Sequence, residues 1–273
     1  MYLTLIRLLF FPINRVIWGR YCAYGTTSPI SIFYIIEPES IELVEQSINP
    51  AKYKHVVFFT GAGMSAESGV PTYRGKGGIW GSYSIEEYAC QEAFERNPEK
   101  VLGFHEKRRR SVLDCHPHEG HRVIADMPSA RVVTQNIDGM HQRAGSKEVI
   151  ELHGSLWRLR CQSCGFRKED YGERFETTRC NCGDRLRPDI IWFGDMLNAV
   201  VMSKASEAIR NCDLFISIGT SGTVWPAAGY PDLAKQSGAY CIEINPEPSG
   251  VTSYDRVIEG PAGEVLPELF STS

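Results

Sequence analysis

No stretch of this sequence stays apolar for the roughly 18 residues that a membrane-spanning helix requires, because Arg7, Pro12 and Arg15 break the N-terminal runs. No membrane span is expected. A good secretory signal is missing too: the short apolar stretch at residues 8–13 contains a proline, which argues against a secreted product. Strong charge of either sign is absent. The 33 acidic and 29 basic residues leave a net charge of −4, so no basic field recruits nucleic acid and no direct nucleic-acid binding is expected. No internal repeat or low-complexity tract is present. Nine cysteines in 273 residues are not a disulfide scaffold, since four of them fall in one tight cluster that suggests metal. The other five (Cys22, Cys90, Cys115, Cys212 and Cys241) read as reduced thiols, mostly packing, which points to a reducing compartment.

An apolar fraction of 42% with 23% charged residues is ordinary for a globular chain. The length suits one large domain with a small added module. Residues 1–36 hold Arg7, Arg15 and Arg20 but no acid before Glu37. That pattern fits a mitochondrial presequence; it also fits an extension that targets nothing, with a cytoplasmic or nuclear protein behind it. The folded domain is expected over residues 37–273, opening with a short amphipathic helix at 38–49 that ends at Pro50.

Runs of apolar and β-branched residues at 55–60, 130–134, 148–152, 212–218 and 239–244 read as buried parallel strands. Helical patterns at 85–96, 99–112, 118–126 and 202–210 separate several of them. The alternation predicts an α/β fold, a Rossmann-like parallel sheet with helices on both faces. Residues 161–187 differ, with four cysteines and few aliphatics. They read as a metal-stapled insert, a small zinc module at about residues 157–187.

The first strand runs into Gly61-Ala62-Gly63-Met64-Ser65-Ala66. Such glycines permit a tight turn and let backbone N–H groups approach a pyrophosphate, although a strand-to-helix turn without a ligand has the same pattern. An acid at the end of a second strand about 20 residues on, as in hydride-transfer enzymes, is missing, because residues 79–96 look helical. Polar residues follow other strands at Gly219-Thr220-Ser221, at Asn245, and at Gln135-Asn136-Ile137-Asp138. In a parallel sheet ligands gather at such carboxyl ends. Two amides and a carboxylate within four residues can fix a ribose and a carboxamide, or Asn136 and Asp138 can simply cap a helix. His153, at another strand end before Gly154, can supply a ring nitrogen for proton transfer near neutrality. Cys161-x2-Cys164, fifteen residues, then Cys180-x-Cys182 matches a four-thiolate zinc site. Four thiolates close the coordination shell, so the metal is structural.

Together these motifs resemble the sirtuin family. The run Gly61-Ala62-Gly63-Met64-Ser65-Ala66-Glu67-Ser68-Gly69-Val70-Pro71-Thr72-Tyr73-Arg74 looks like the sirtuin cofactor loop. Thr134-Gln135-Asn136-Ile137-Asp138-Gly139, Leu152-His153-Gly154, the cysteine pairs, Pro188-Asp189-Ile190-Ile191-Trp192-Phe193-Gly194-Asp195, Gly219-Thr220-Ser221 and Ile244-Asn245-Pro246 follow in sirtuin order. The resemblance spans about residues 50–270 and is strongest to the subgroup that removes succinyl, malonyl and glutaryl groups.

The resemblance implies an NAD-dependent protein-lysine deacylase with acyl-lysine proteins as partners, NAD as co-substrate and one structural zinc. The products would be free lysine, nicotinamide and O-acyl-ADP-ribose. His153 and Asn136 would be catalytic. Gly61, Ala62, Gly63, Ala66, Glu67, Thr72, Tyr73, Arg74 and Trp80 would meet the cofactor, as would Gln135, Asn136, Ile137 and Asp138. So would Gly219, Thr220, Ser221, Asn245, Pro246, Glu247 and Ala262. His105 and Arg108 would meet the acyl group. Ile191, Trp192, Phe193 and Gly194 would pair with the substrate peptide as an added strand. Three positions depart from the family pattern: Tyr73 replaces Phe, Asp195 replaces Glu, and His105 stands where the acidic-acyl subgroup has Tyr. A general deacetylase or a mono-ADP-ribosyltransferase using the same NAD site stays open on the residues alone. So does a zinc-ribbon module for nucleic acid, though the acidic whole argues against it. The sequence sets no oligomeric state, and a monomer is assumed.

Overall fold

The structure, a computed structural model, describes residues 47–73 and 77–271. The N-terminal extension, most of the helix expected at 38–49, Cys22 and Arg74 lie outside the described residues. Residues 47–49 carry no helix; Asn49 instead caps a short 3-10 turn, Pro50–Lys52, by accepting from Ala51 N at 2.9 Å.

Five of the strands expected from the sequence are present as β1 (Val56–Thr60), β2 (Ala130–Thr134), β3 (Val149–Glu151), β7 (Leu214–Ile218) and β8 (Tyr240–Ile244). They form a parallel sheet ordered β3-β2-β1-β7-β8-β9, where β9 is Arg256–Ile258. Every residue of β1 and β7 is buried, which is why these strands read as continuous apolar runs rather than alternating ones. Their side chains still divide by period two. Val56, Phe58, Leu214, Ile216 and Ile218 enter one core with Ile124, Leu266 and Leu269 from the helices Glu119–Asp126 and Ala262–Leu269. Val57, Phe59 and Phe215 enter a second core with Ala205, Ile209 and Ala234 from the helices Ala199–Arg210 and Tyr230–Gln236. The sheet is therefore covered on both faces, as expected. Its strand order reverses between β1 and β7, and this switch point is where ligands bind in open α/β sheets.

The cysteine-bearing segment forms a second, antiparallel sheet, β5-β4-β6, from β4 (Gly154–Cys161), β5 (Arg167–Glu169) and β6 (Leu186–Ile190). It shares a third core with the neighbouring helices: Leu156, Leu159 and Leu186 pack with Phe94, Val101 and Leu102. The helical pattern at 85–96 is two helices, Ile85–Tyr88 and Gln91–Arg96. Between them Cys90 is extended (φ −140°, ψ 162°) and bridges Phe193, whose N–H donates to Ala89 O at 2.9 Å. A tertiary backbone pairing, invisible in local pattern, breaks the helix. Among the described residues no helix is long and apolar enough to cross a membrane.

Candidate functional site

A cavity of about 910 Å³ opens at the carboxyl ends of β1, β2, β7 and β8. Its floor is a crossing of two glycine turns. A Cβ on Gly61 would lie 2.6 Å from Gly219 O, and one on Gly63 would lie 2.6 Å from Gly219 Cα. Gly219 itself has φ +58°, a region that favours glycine. The N–H groups of Gly61 and Gly63 donate to Ile218 O (2.9 Å) and Gly219 O (3.0 Å). These two amides are thus engaged within the sheet edge rather than directed at a pyrophosphate, a correction to the sequence reading. Close backbone approach is what the glycines provide. Ala62, Ala66, Glu67, Thr72, Tyr73 and Trp80 line the same end of the cavity, and Glu67 accepts from Gly263 N at 3.1 Å.

On the far side of the switch point, Thr220, Ser221, Asn245, Pro246 and Glu247 line the wall. Asn245 Nδ2 donates to Thr220 O at 3.0 Å, which ties the two strand-end loops together. Ala262 is not brought to the cavity: it is buried at the start of its helix, in the core with Ile124 and Leu266.

Gln135, Asn136 and Ile137 line the middle of the cavity. Asn136 Nδ2 donates to Gly61 O (2.8 Å) and Ser65 Oγ (3.2 Å), so this amide pins the glycine turn to β2. Asp138 is buried behind them, accepting from Met140 N at 2.9 Å. Burial pushes its carboxyl above the ordinary value, against the pull of the Met140 amide and the Ser65 hydroxyl. It lines a small void beside the main cavity.

His153 is placed by one hydrogen bond. Its Nδ1 lies 2.9 Å from Gln135 O. A carbonyl can only accept, so Nδ1 carries the proton and Nε2 keeps its lone pair. Burial holds the ring below its usual pKa, partly opposed by that carbonyl. The neutral, Nε2-basic form is therefore the state near neutrality, at the wall of the cavity.

The opposite wall comes from the helix Pro98–Leu113 and the segment after β6. His105 and Arg108, i and i+3 on that helix, both line the cavity, as that spacing predicts. The basic run at 107–110 resolves into separate roles. Lys107 is exposed, Arg109 is fully buried against Asp170 at 2.7 Å, and Arg110 pairs with Glu173 at the surface. Arg108 donates to the Tyr73 hydroxyl at 2.9 Å and, among the described residues, no carboxylate lies within ion-pair distance of it. His105 stacks on Trp192, with ring centres 5.9 Å apart, and neither of its ring nitrogens has a partner. Burial, then the charges of Arg108, Arg187 and Arg109, push it well below the usual histidine value, so it is a neutral ring with one N–H to give.

Ile191, Trp192, Phe193 and Gly194 complete this wall. Their loop is fastened from below. Ile191 N donates to His153 O at 2.9 Å, and Trp192 N to Asp195 Oδ2 at 3.1 Å. Asp195 also accepts from the buried Arg187 at 2.7 Å, whose guanidinium carbon lies 3.3 Å from the Trp192 ring centre. The shortened acid thus serves the loop itself. Sequence reasoning missed Arg187, along with the cavity residues Leu197, Val224 and Trp225. The loop residues among these show no periodic pattern, and Arg187 looked like one of the module's many bases.

Three histidines underlie the glycine turn. His118 meets His121 edge to face and His121 meets His141 at a tilt, with ring centres 4.2 and 5.0 Å apart, and His118 Nε2 donates to Met64 O at 2.7 Å. Burial first, and neighbouring histidines second, hold His121 down to about 2 and His141 to about 3. In the unfolded chain both return to about 6.5, so below that pH the unfolded state binds more protons and stability rises with pH. Going from pH 7.5 to 5.5 should cost about 1.4 kcal/mol for each of the two. Urea unfolding at the two pH values checks this; equal stability would contradict neutral burial of the pair.

A model of the Sir2 family matches residues 61–226, more than half of the chain. The chain belongs to the Sir2 family. An NAD-dependent protein deacylase 2 from Pyrobaculum aerophilum is 47% identical over 226 residues, covering 80% of this chain and 91% of that protein. A solved Sir2 homolog–NAD complex is 40% identical with a TM-score of 0.75, covering 84% of this chain and 91% of that one. Sir2Af2 bound to a myristoylated histone peptide is 34% identical with a TM-score of 0.64, covering 84% and 95%. This sirtuin is an NAD-dependent protein deacylase, with NAD as its co-substrate. The cavity's polar rims on either side of the switch point fit that dinucleotide.

The cysteine cluster of this sirtuin fits zinc. All four sulfurs lie within 4.8 Å of one another, with Cys161–Cys182 and Cys164–Cys180 each at 3.5 Å. A disulfide would need about 2.05 Å; sulfurs at the corners of a tetrahedron with Zn–S bonds of about 2.3 Å stand roughly 3.8 Å apart. Four thiolates fill the shell, leaving no position for water or substrate. The metal is structural.

Proposed function

We propose that this deacylase acts preferentially on lysines carrying an acidic acyl group: succinyl, malonyl or glutaryl. The observation that carries the reading is the pair on the cavity wall, Arg108 with no carboxylate partner among the described residues and His105 buried with both ring nitrogens unpartnered. A buried polar group left unpaired costs about 1–3 kcal/mol, a cost that a ligand carboxylate relieves by accepting from both. The guanidinium can meet it with two parallel bonds. Because His105 is held neutral, it contributes one N–H donor and no charge, and its titration should give no rise in acidic-acyl preference between pH 6 and 8.

In this reading His153 Nε2 takes a proton from a ribose hydroxyl, its ring aimed by Gln135 O. Asn136, Gln135 and Asp138 serve the ribose and nicotinamide end; Ser221 and Asn245 serve the phosphates and adenosine. NAD supplies the ribose that takes over the acyl group as nicotinamide leaves. Tyr73 screens the reacting sugar. The substrate peptide lies against residues 191–194; since the amides of Ile191, Trp192 and Phe193 are engaged, an added strand would pair largely through carbonyls. Residues 1–36 remain an extension outside a domain of 37–273, and the mostly prokaryotic relatives give a mitochondrial address no support.

The reading is tested with Arg108→Ala. Removing a charge partner of a carboxylate costs about 2–5 kcal/mol, so kcat/KM for a succinyl peptide should fall at least tenfold while acetyl turnover is kept or rises. Equal losses on both peptides would overturn it.

A further inference from the structure

Tyr73 and Arg108 come from different elements, the loop after the glycine turn and the helix Pro98–Leu113, and meet on the cavity wall. Arg108 Nη2 lies 2.9 Å from the Tyr73 hydroxyl oxygen, and its guanidinium carbon lies 5.0 Å from the centre of the Tyr73 ring. A guanidinium has no acceptor, so Arg108 donates and the phenol oxygen accepts. That leaves the phenol's own proton to donate. The ring is held from its other neighbours by Trp80, at 6.0 Å between centres, so the hydroxyl has a fixed post. Phenylalanine would keep the Trp80 contact and the ring under the guanidinium; only the oxygen distinguishes tyrosine here, and that oxygen is bonded to Arg108.

We propose that Tyr73 is a specificity-determining residue of the acyl pocket: it positions the Arg108 guanidinium and donates its hydroxyl proton to the acyl carboxylate. The proposal rests on the acidic-acyl reading above. Arginine carries about 2 kcal/mol of rotamer entropy, and a loop hydroxyl that fixes the guanidinium before substrate arrives reduces what binding must order. The bond consumes one of five guanidinium donors, so Arg108 keeps enough to meet a carboxylate. His105, one helical turn away, stacks on Trp192 and offers its N–H from the same helix. A hydroxyl from the loop and an imidazole from the helix would thus flank one cation.

The test is Tyr73→Phe, assayed in the full-length protein with NAD and succinyl and acetyl versions of one peptide. The readout is the ratio of the two kcat/KM values, in which any cost common to both, such as weaker NAD binding, cancels. A hydrogen bond to a charged group changes binding by about 10-fold or more. The ratio should therefore fall about 10-fold toward acetyl, chiefly through a raised KM for the succinyl peptide. An unchanged ratio in the variant of a succinyl-preferring parent would overturn the role of Tyr73 while leaving the acidic-acyl reading intact. A parent that shows no succinyl preference would overturn that reading, and this proposal with it.

Discussion

His153→Ala should leave this sirtuin folded and able to bind NAD while lowering deacylation by about 10²–10⁴-fold, the usual cost of losing a positioned general base. The ring is aimed by a single bond from Nδ1 to Gln135 O at 2.9 Å, which fixes Nε2 as the basic atom. Burial lowers its pKa, so the base is already deprotonated at neutral pH. Below the folded pKa the ring is protonated and cannot accept, so the acid limb of kcat/KM should lie under the ordinary histidine value of about 6.5. The Gly154 turn that follows keeps φ +77° whatever stands at 153, and the main chain at 153 still receives Ile191 N. Steady-state deacylation and NAD titration of the same preparation separate the two effects. Near-normal turnover by a folded variant would remove His153 from the chemistry.

Replacing Cys161 by Ser should act in a different way. Zinc content should drop from one per chain toward zero, and thermal unfolding should move down by many degrees, before any question of chemistry arises. Structural zinc in small peptides is worth about 10–16 kcal/mol, comparable to the whole stability of a typical domain, about 5–15 kcal/mol. Cys161 ends β4 and sits in the core that also holds Cys180, Leu186, Val101 and Leu102. That core backs the helix Pro98–Leu113, and Arg109 of the same helix is locked to Asp170 with both side chains fully buried. Loosening the metal therefore reaches the helix that presents His105 and Arg108. Metal analysis together with thermal melts of the parent and variant decide the point. A metal-free protein that stays folded and active would refute a structural zinc.

Much of this architecture was legible in the residues. The strands at the sheet centre declare themselves because burial on both faces makes β1 and β7 continuous apolar runs. The cysteine spacing declares the metal because thiolate geometry tolerates few separations. Less legible was whatever depends on backbone pairing across the chain. β4, β5 and β6 are antiparallel strands rich in arginine, whose charges are met by partners such as Arg158 with Asp189 at 2.8 Å. β4 does alternate, with Trp157, Leu159 and Cys161 buried and Arg158 and Arg160 half-buried between them, a short period of two that marks a strand within a segment otherwise dominated by its cysteines. The split at Cys90 is made by Phe193, a hundred residues away in sequence terms and adjacent in space. The site residues were found as strand-end motifs, yet their bonding was not: the Gly61 and Gly63 amides serve the sheet, Ala262 serves the core, and Arg74 falls outside the described residues. Sequence pattern alone left Arg108 within a basic run. The family resemblance singles it out, and the separate partners of Arg109 and Arg110 set it apart physically.

The most direct measurement is kcat/KM of the unmodified protein, with NAD, for acetyl, butyryl, malonyl, succinyl and glutaryl forms of a single lysine peptide. Arg108 and His105 on the cavity wall predict that at least one acidic acyl form outruns acetyl and butyryl, with nicotinamide and free lysine released in equal amounts. Acetyl-lysine outrunning every acidic form would contradict the account.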